Sequence, residues 1–344
     1  DIDTGPPEQY DKFSGGTGMP TFIDLFSGCG GLSYGLVRAG WSGRFAVERH
    51  PDAFDTFSAN CLQQGQGAFV WPKWLKKKAW DIEDLLQSHS ADLSAMRGTV
   101  DLIAGGPPCQ GYSVAGRRDP NDKRNKLVGR YLEMVELIRP KFLVLENVTG
   151  FMSGFTKVAA DGELSRTIAP SDGLTRDLKQ RGYHVSSALI NCAEWGVPQR
   201  RLRFIAIAVR DDVFAANEVV DSIQILKGLR EVFLAARGLP ADGVVTASEA
   251  LHDLEVSAAV LEGDPEHPRF QRNRYAPHLP LSAYARLMRV GADGPPCSLR
   301  LPQHKAATTE RFELIQRTCT PGKTLSAADR KRLRSNKHAF TPLA

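Results

Sequence analysis

The chain of 344 residues is long enough to bury a sizeable core, and its 42% hydrophobic and 24% charged residues are ordinary proportions for a globular protein. It contains no run of eighteen apolar residues, and its polar first 20 residues lack the apolar centre of a signal peptide, so we expect neither a membrane span nor a leader. The formal net charge of +5 is uneven, because residues 265–344 contain 15 Lys and Arg against 5 Asp and Glu. This basic stretch favours a polyanionic partner.

Six cysteines are spread along the chain without a CxxC pair. This spacing fits neither a zinc ribbon nor a small disulfide scaffold, so we expect reduced thiols and no metal centre. Most of these cysteines are expected to be packing residues, because a thiol needs a particular local environment before it becomes a nucleophile.

Apolar runs alternate with helical segments through the first 210 residues. Predicted strands cover residues 21–25, 45–48, 100–104, 142–145, 183–190 and 202–209, and predicted helices cover residues 35–39, 51–61, 131–138 and 174–181. Continuous apolar strands between helices are typical of a parallel sheet that is covered on both faces. The sequence therefore predicts an α/β fold with a doubly wound, mostly parallel, Rossmann-like sheet.

The pattern changes after Arg210. Helical spacing continues over residues 223–237 and 247–261, but the chain beyond them is rich in Pro, Arg and His and has weak periodicity. We therefore predict three parts, which are a flexible N-terminal segment over 1–20, an α/β domain over 21–262 and a basic, partly irregular segment over 263–344.

The first predicted strand ends in a glycine-rich turn, Asp24-Leu25-Phe26-Ser27-Gly28-Cys29-Gly30-Gly31-Leu32. Glycines at a strand-to-helix turn let the backbone approach a ligand and leave amide donors at the helix start. The second strand ends at Glu48, whose carboxylate could accept hydrogen bonds from ribose hydroxyls, and Asp81 is a second candidate, for an adenine amino group. A dinucleotide fingerprint would need glycine at position 33, which is Ser33. The turn alone fits a tight connection in which glycine serves packing equally well.

Chemistry-bearing residues follow other strands at the same edge of the sheet. Pro107-Pro108-Cys109-Gln110 comes just after a predicted strand, where backbone dipoles can lower the pKa of a thiol. Residues 111–126 contain several basic side chains between small residues, which is typical of a mobile active-site loop. Glu146 ends a neighbouring strand, and Arg201 and Arg203 begin the last one, on the same side by strand alternation.

These residue types together suit methyl transfer to cytosine. Carbon 5 of cytosine is a poor nucleophile, but a thiolate that adds to carbon 6 gives an enamine-like ring with electron density at carbon 5. A carboxylic acid whose pKa is raised by burial can donate to N3, and an arginine can hold O2. The ring cannot be reached inside a duplex, so the base must be flipped out.

The motifs DLFSGCGGLSYGL, GGPPCQGYS, ENV and VPQRRLRF occur in this order, and the set resembles the cytosine-C5 DNA methyltransferase family over residues 20–210. The resemblance implies that a methyl group passes from S-adenosylmethionine to C5 of a flipped cytosine in double-stranded DNA, as in a restriction-modification system, without a metal. It implies four catalytic roles, which are Cys109 as the nucleophile, Glu146 as the N3 partner, Arg203 as the O2 contact and Arg201 as a support of the same pocket.

The same resemblance implies two sets of binding residues. The S-adenosylmethionine set is Phe26, Ser27, Gly28, Cys29, Gly30, Gly31, Leu32, Glu48, Asp81, Ile82, Pro108 and Leu127. The DNA set is Gln110, Ser113, Arg117, Arg118, Arg124 and Gln199. Cys29 is then a wall of the cofactor site and not a second nucleophile, while Gln110 and Ser113 begin the loop that closes on DNA.

Two further motifs of the family are not found, namely an arginine-containing segment that ends in an RLQGFP-like turn and a final helix that contains asparagine. Residues 263–344 then resemble only the start of the variable DNA-recognition region. We therefore expect a C-terminal piece or a second subunit to carry target recognition and the last motifs. A fragment and an inactive homologue are the other accounts, and the intact catalytic motifs argue against inactivity. We predict that residues 1–344 alone methylate poorly or not at all.

Two other functions fit the same motifs. A tRNA cytosine-C5 methyltransferase has similar catalytic motifs, and a non-catalytic DNA-binding subunit would bind the cofactor without turnover. The PPCQ and ENV motifs and the missing dinucleotide spacing disfavour a dehydrogenase. A DNA-modifying enzyme is expected in the cytoplasm at the nucleoid of a bacterium, or in the nucleus of a eukaryote.

A stretch with three tryptophans and a run of lysines leaves its role open. Trp71, Trp74 and Trp80 surround Lys76-Lys77-Lys78. Such a stretch fits a DNA contact, because basic residues bind phosphates, but it fits a lid or a solvated face equally well.

Overall fold

The computed structural model describes most of the chain between residues 18 and 331. The described residues are 18–63, 68–108, 126–154, 156–158, 164–166, 168–214, 220–255, 261–265, 267–275, 280–291, 299–318, 326, 328 and 331. By its internal contacts the chain divides into two compact units, Asp1–Thr246 and Ala247–Ala344, which we call unit 1 and unit 2.

Unit 1 is built on one large sheet. Its strands are β1 (Thr21–Leu25), β2 (Ser42–Val47), β3 (Leu102–Gly105), β4 (Phe142–Val148), β7 (Tyr183–Asn191) and β8 (Leu202–Arg210). They lie in the order β2-β1-β3-β4-β8-β7, in which β1 to β4 pair in parallel and β8 runs antiparallel to both β4 and β7. Two short strands, β5 (Thr156–Val158) and β6 (Leu164–Arg166), pair separately. The predicted α/β fold with a doubly wound, mostly parallel sheet is confirmed.

Helices cover both faces of this sheet. The helices of unit 1 are α1 (Gly31–Arg38), α2 (Pro51–Phe57), α3 (Ile82–Ser88), α4 (Ser90–Ala95), α5 (Leu127–Ile138), α6 (Pro170–Gln180), α7 (Ser222–Gly228) and α8 (Arg230–Ala235). Because side chains alternate along a strand, Ile23 and Ile103 pack into one core with Tyr131, whereas Phe22 and Leu102 pack into another. None of the helices that the structure describes is both long and apolar enough to cross a membrane.

Unit 2 contains short elements. They are α9 (Ala247–Leu251), a 3₁₀ turn (His252–Leu254), β9 (Leu261–Gly263), β10 (Gln271–Asn273), α10 (Ala283–Met288) and α11 (Ala306–Thr318), with β9 and β10 antiparallel. The helix predicted over 247–261 is therefore wrong beyond Leu254, since Leu261 belongs to a strand. The reason is tertiary: the buried Asp253 binds Tyr275 and Arg289, and these contacts override the local helical spacing.

Candidate active site

The turn between β1 and α1 has a backbone that few residues tolerate. Phe26, Gly28 and Gly30 have positive φ angles of 60°, 55° and 91°. A Cβ atom on Gly30 would lie 2.8 Å from the ring of Phe57, whereas one on Gly28 would meet nothing within 4 Å. The turn is therefore closed against the core at Gly30 and open above Gly28, which is the shape of a backbone that cradles a ligand.

The carboxylate of Glu48 is fixed beside this turn, just after the end of β2. Its Oε2 accepts a hydrogen bond from Gly28 N at 2.9 Å, and its Oε1 accepts one from His50 N at 2.7 Å. Its backbone carbonyl accepts a hydrogen bond from Trp80 N at 2.8 Å. The neighbouring Asp81 caps α3 by accepting from a backbone N–H of that helix at 2.8 Å. The two candidate carboxylates for a cofactor therefore lie on adjacent segments that are hydrogen-bonded to each other.

The structure adds a buried acid, Asp24, that the sequence analysis does not single out. Asp24 is 1% exposed, and Ser33 Oγ donates to its Oδ2 at 2.6 Å, which joins β1 to the first turn of α1. Burial raises the pKa of Asp24 to about 7, and the nearby carboxylate of Glu48 adds to this rise. The sequence does contain a signal for this contact, namely an aspartate inside an apolar strand, because a buried carboxyl group needs a polar partner nearby.

Glu146 and Arg203 meet on one face of the sheet. In the pairing of β4 with β8, Glu146 lies opposite Ile205 and Val148 lies opposite Arg203, so Glu146 and Arg203 are diagonal neighbours. Arg203 Nε lies 2.6 Å from Glu146 Oε1 in an ion pair, although its N–H is not aligned for a hydrogen bond. The side chain of Arg203 is 18% exposed and that of Glu146 is 39% exposed. The structure thus brings together the two residues predicted to contact N3 and O2.

Asn147 holds the turn that leads to Cys109. Its side chain is buried, its Nδ2 donates to Pro107 O at 3.1 Å, and its Oδ1 accepts from the next backbone N–H at 2.8 Å. A Cβ atom on Gly106 would lie 3.0 Å from Glu146 Oε2. The chain that enters Cys109 therefore runs directly beside the Glu146 carboxylate.

The other predicted site residues differ in exposure and in whether the structure describes them. Exposed residues are Cys29, Gly31, Leu32, Gln199 and Arg201; partly buried residues are Phe26, Ser27, Gly28, Glu48, Asp81, Pro108 and Leu127; buried residues are Gly30 and Ile82. Six predicted residues, Cys109, Gln110, Ser113, Arg117, Arg118 and Arg124, lie outside the described residues. Arg201 precedes β8, and its carbonyl accepts from Cys192 N at 2.9 Å. In the described ranges, no group of three or more His, Cys, Asp and Glu could hold a metal ion.

Known proteins resemble this chain in sequence. The sequence profile of the family described as C-5 cytosine-specific DNA methylase matches residues 20–258. The Type II methyltransferase M.DdeI of Desulfomicrobium norvegicum is 32% identical over 255 residues, which cover 74% of this chain and 53% of M.DdeI. The Type II methyltransferase M.AquIA of Picosynechococcus sp. is 31% identical over 189 residues, which cover 55% of this chain and 71% of M.AquIA.

A solved structure shares the fold. It is described as a DNA modification methyltransferase encoded within a prophage of E. coli, and it aligns with a TM-score of 0.53 and 20% identity over 90% of this chain and 78% of that chain. This chain spans about half the length of M.DdeI and of another matching Type II methyltransferase, M1.HphI of Haemophilus parahaemolyticus. The family profile covers most of the chain and includes the glycine-rich turn, Glu146 and Arg203. The chain therefore belongs to the C-5 cytosine-specific DNA methylase family.

Proposed function

We propose that this chain catalyses the transfer of a methyl group from S-adenosylmethionine to C5 of a flipped-out cytosine in double-stranded DNA. The main support is the contact of Glu146 with Arg203 beside the turn held by Asn147, because that turn leads into Cys109. A nucleophile, a carboxyl group and a guanidinium would then face one pyrimidine ring. The relatives named as Type II methyltransferases support DNA as the substrate and a restriction-modification system as the setting.

The carboxyl ends of β1 and β2 fit S-adenosylmethionine, which supplies an electrophilic methyl group when it is bound. Gly28 and Gly31 have open space where a Cβ atom would be. Glu48 retains lone pairs for ribose hydroxyls, and the first N–H groups of α1 have no partner within the helix. We assign to this site Phe26, Ser27, Gly28, Cys29, Gly30, Gly31, Leu32, Glu48, Asp81, Ile82, Pro108 and Leu127.

In the proposed reaction, the thiolate of Cys109 adds to C6 of cytosine, which forms a carbon–sulfur bond and moves electron density to C5. Glu146 donates a proton to N3 and Arg203 holds O2, so negative charge does not build up on the ring. Arg203 also orients the Glu146 carboxyl group through their 2.6 Å contact. The exposed Arg201 supports the rim of the same pocket.

In the second half of the reaction, C5 takes the methyl group and the sulfonium bond to that methyl breaks. A base then removes the proton from C5, and the released electron pair restores the C5–C6 double bond and expels the Cys109 thiolate. Glu146 recovers its proton from N3. Because the ring must leave the duplex, we assign contacts around the flipped base to Gln110, Ser113, Arg117, Arg118, Arg124 and Gln199.

Replacement of Cys109 tests this proposal. With enzyme in excess over duplex DNA, Cys109→Ser should abolish methyl transfer, because a serine hydroxyl is a much weaker nucleophile, and should leave cofactor binding intact. The parent chain should form a covalent adduct with DNA that contains 5-fluorocytosine, since fluorine at C5 blocks the final elimination. A Cys109→Ser variant that keeps its rate would contradict the mechanism.

The choice of nucleic acid needs a separate comparison. Methyl incorporation from labelled S-adenosylmethionine should be measured on duplex DNA and on tRNA with the same preparation. Incorporation into tRNA alone would show that tRNA, and not DNA, is the substrate. Cofactor binding without turnover on either nucleic acid, even when the missing piece or subunit is supplied, would favour a non-catalytic subunit.

We further propose that residues 21–262 form the catalytic domain and that target recognition begins in residues 263–344. A C-terminal piece or a second subunit would supply the missing motifs, in line with the span of about half of M.DdeI. The isolated chain should then methylate DNA slowly or not at all, and without sequence preference. Robust, sequence-specific methylation by residues 1–344 alone would refute the need for a further piece.

A further inference from the structure

A lysine-rich loop lies beside β2, the outermost strand on one side of the large sheet, and outside the residues assigned to catalysis and cofactor binding. We call residues 73–78 the lysine loop, in which Lys73, Lys76, Lys77 and Lys78 are all exposed. The surrounding segment contains no Asp or Glu from position 70 to position 80. The ion pairs within the described ranges involve other residues. Within the part of the chain that the structure describes, the four lysines of the loop therefore have no carboxylate partner.

Aromatic side chains hold the backbone of the lysine loop in place. Trp71 Nε1 donates to Leu75 O at 2.8 Å, and Trp80 Nε1 donates to Lys76 O at 2.9 Å. Leu75 is buried, and Trp74 packs edge-on against a core phenylalanine with 6.1 Å between ring centroids. The lysines therefore project from fixed backbone positions, which lowers the entropy that a bound partner would have to remove.

The loop is also tied to the edge of the sheet where the proposed chemistry takes place. Trp80 N donates to Glu48 O at 2.8 Å, and the side chain of Glu48 accepts from Gly28 N in the glycine-rich turn. Lys78 Nζ lies 4.1 Å from the centroid of the Trp80 ring. Because β1 to β4 are parallel, their carboxyl ends share one edge, so the lysine loop and Glu146 belong to the same edge of unit 1.

The chemistry of the loop fits phosphates better than a protein surface. Every exposed side chain in residues 73–78 is a lysine, whereas protein interfaces have apolar centres and are depleted in lysine. Duplex DNA carries one negative charge for about every 1.7 Å of its axis, and lysine ammonium groups bind such phosphates without reading sequence.

We propose that the lysine loop binds the phosphate backbone of duplex DNA that flanks the target cytosine. This inference rests on the proposed function for its substrate, but it concerns residues that take no part in the methyl transfer. The loop would add affinity and orient the duplex at the edge of the sheet without contributing to the choice of target sequence.

The test compares two double variants of the 344-residue chain that remove the same charge. Lys76→Gln with Lys77→Gln changes the loop, and Lys179→Gln with Lys227→Gln changes two exposed lysines in α6 and α7. Binding to a 30-base-pair duplex is measured across a salt series. The slope of log affinity against log salt should become shallower by roughly 0.9 for each phosphate that the loop no longer neutralises, in the loop variant only.

Equal slopes for the parent chain and the loop variant would overturn the inference, and would leave an acidic protein as the partner to examine. An equal decrease in both double variants would also overturn it, because a general charge effect would explain the result. Methylation by the parent chain is measured separately. A shallower slope in the loop variant, with no methylation by the parent even when the C-terminal piece or second subunit is supplied, would refute the proposed function and retain the phosphate binding.

Discussion

Three carboxyl groups of unit 1 differ in whether they can contact a ligand, because their burial and their hydrogen-bond or ion-pair partners differ. Asp24 is buried and accepts from the Ser33 hydroxyl, so it joins two elements and cannot reach a ligand. The carboxylate of Glu48 accepts hydrogen bonds from two backbone N–H groups. These bonds orient the carboxylate and leave lone pairs for ligand hydroxyls. Glu146 contacts one guanidinium and is 39% exposed. It is therefore the carboxyl group that can meet a substrate ring.

Glu146→Gln tests the role of this proton donor. The amide keeps the shape of the side chain but cannot supply a proton to N3, so we expect methyl transfer to fall by about 10²–10⁴-fold. Cofactor binding should be little changed, because Glu146 is not in the cofactor set. Single-turnover rates and calorimetric titration measure the two effects. The matched control is Glu194→Gln, which changes an exposed glutamate in the 3₁₀ turn Cys192–Trp195 after β7. Equal rates for both variants would exclude the N3 role.

Asp24 is expected to make stability depend on pH. Its pKa rises from 3.8 to about 7 on folding because it is buried, so the folded state retains a proton that the unfolded chain loses between these values. The free energy of unfolding should therefore fall as the pH rises from about 4 to about 7, by up to about 1.4 kcal/mol per pH unit. Asp24→Asn keeps an acceptor for Ser33 but cannot ionise, so it should flatten this slope. Urea unfolding of both chains at several pH values measures the difference, and parallel slopes would contradict it.

The connection from β1 to α1 requires glycine at one position and tolerates alanine five residues later. Gly30 has a φ of 91°, and its Cβ would contact the Phe57 ring, whereas Gly35 lies inside α1 with nothing within 4 Å. Gly30→Ala should lower the free energy of unfolding by about 1–3 kcal/mol and weaken cofactor binding. Gly35→Ala should raise it by up to about 1 kcal/mol, because alanine favours a helix. Denaturant unfolding compares the two, and similar effects would show that the turn is not constrained.

Element boundaries can be predicted where one local pattern acts alone. The apolar run over Thr21–Leu25 ends in a glycine-rich turn, and β1 has those bounds. The helix predicted over 247–261 fails because Asp253 binds Tyr275 and Arg289, which are distant in sequence. Helical spacing does not reveal such contacts.

The candidate site also combines contacts that could be predicted from the sequence with contacts that could not. The positions of Glu146 and Arg203 follow from the ends of two strands, so their meeting could be expected from the sequence. The hydrogen bond from Asn147 to Pro107 could not, because it depends on how the turn after β3 folds back on β4. The roles of Cys109 and the loop after it stay predictions, since these residues lie outside the described ranges.

The net charge of the whole chain belongs to unit 2. Residues 247–344 contain 15 Lys and Arg and 10 Asp and Glu, so they carry +5, and residues 1–246 are formally neutral. Three arginines of unit 2 bind internal acids, in the pairs Arg289–Asp253, Arg300–Asp264 and Arg272–Glu262. The three acids lie before residue 265, so a charge count that starts at residue 265 includes these arginines and omits their partners. That count therefore overstates the positive charge that is available to DNA.

One of these pairs is expected to control how the chain responds to acid. Asp253 is buried, accepts from Tyr275 OH at 3.0 Å and binds Arg289, whose guanidinium lies 4.3 Å from the Tyr275 ring centroid. Burial alone would raise the pKa of Asp253, but hydrogen bonds from Arg289 and Tyr275 hold that pKa below its usual value. The pair therefore stabilises unit 2 above about pH 4, and this contribution is lost as the pH falls through the lowered pKa.

Asp253→Asn should lower the free energy of unfolding at pH 7 by about 3 kcal/mol, because it leaves a largely buried guanidinium without its counter-charge. The pair of Arg210 with Asp212 gives the control, because its carboxylate is 67% exposed whereas that of Asp253 is buried, and Asp212→Asn should cost less than about 1 kcal/mol. All five tryptophans lie in residues 1–246, so fluorescence reports on unit 1 while circular dichroism reports on both units. The dichroism transition of Asp253→Asn should come at lower denaturant at pH 7, and the gap from the parent should close below about pH 4, where Asp253 itself gains a proton. A transition unmoved at pH 7 would show that the buried pair does not hold unit 2 together.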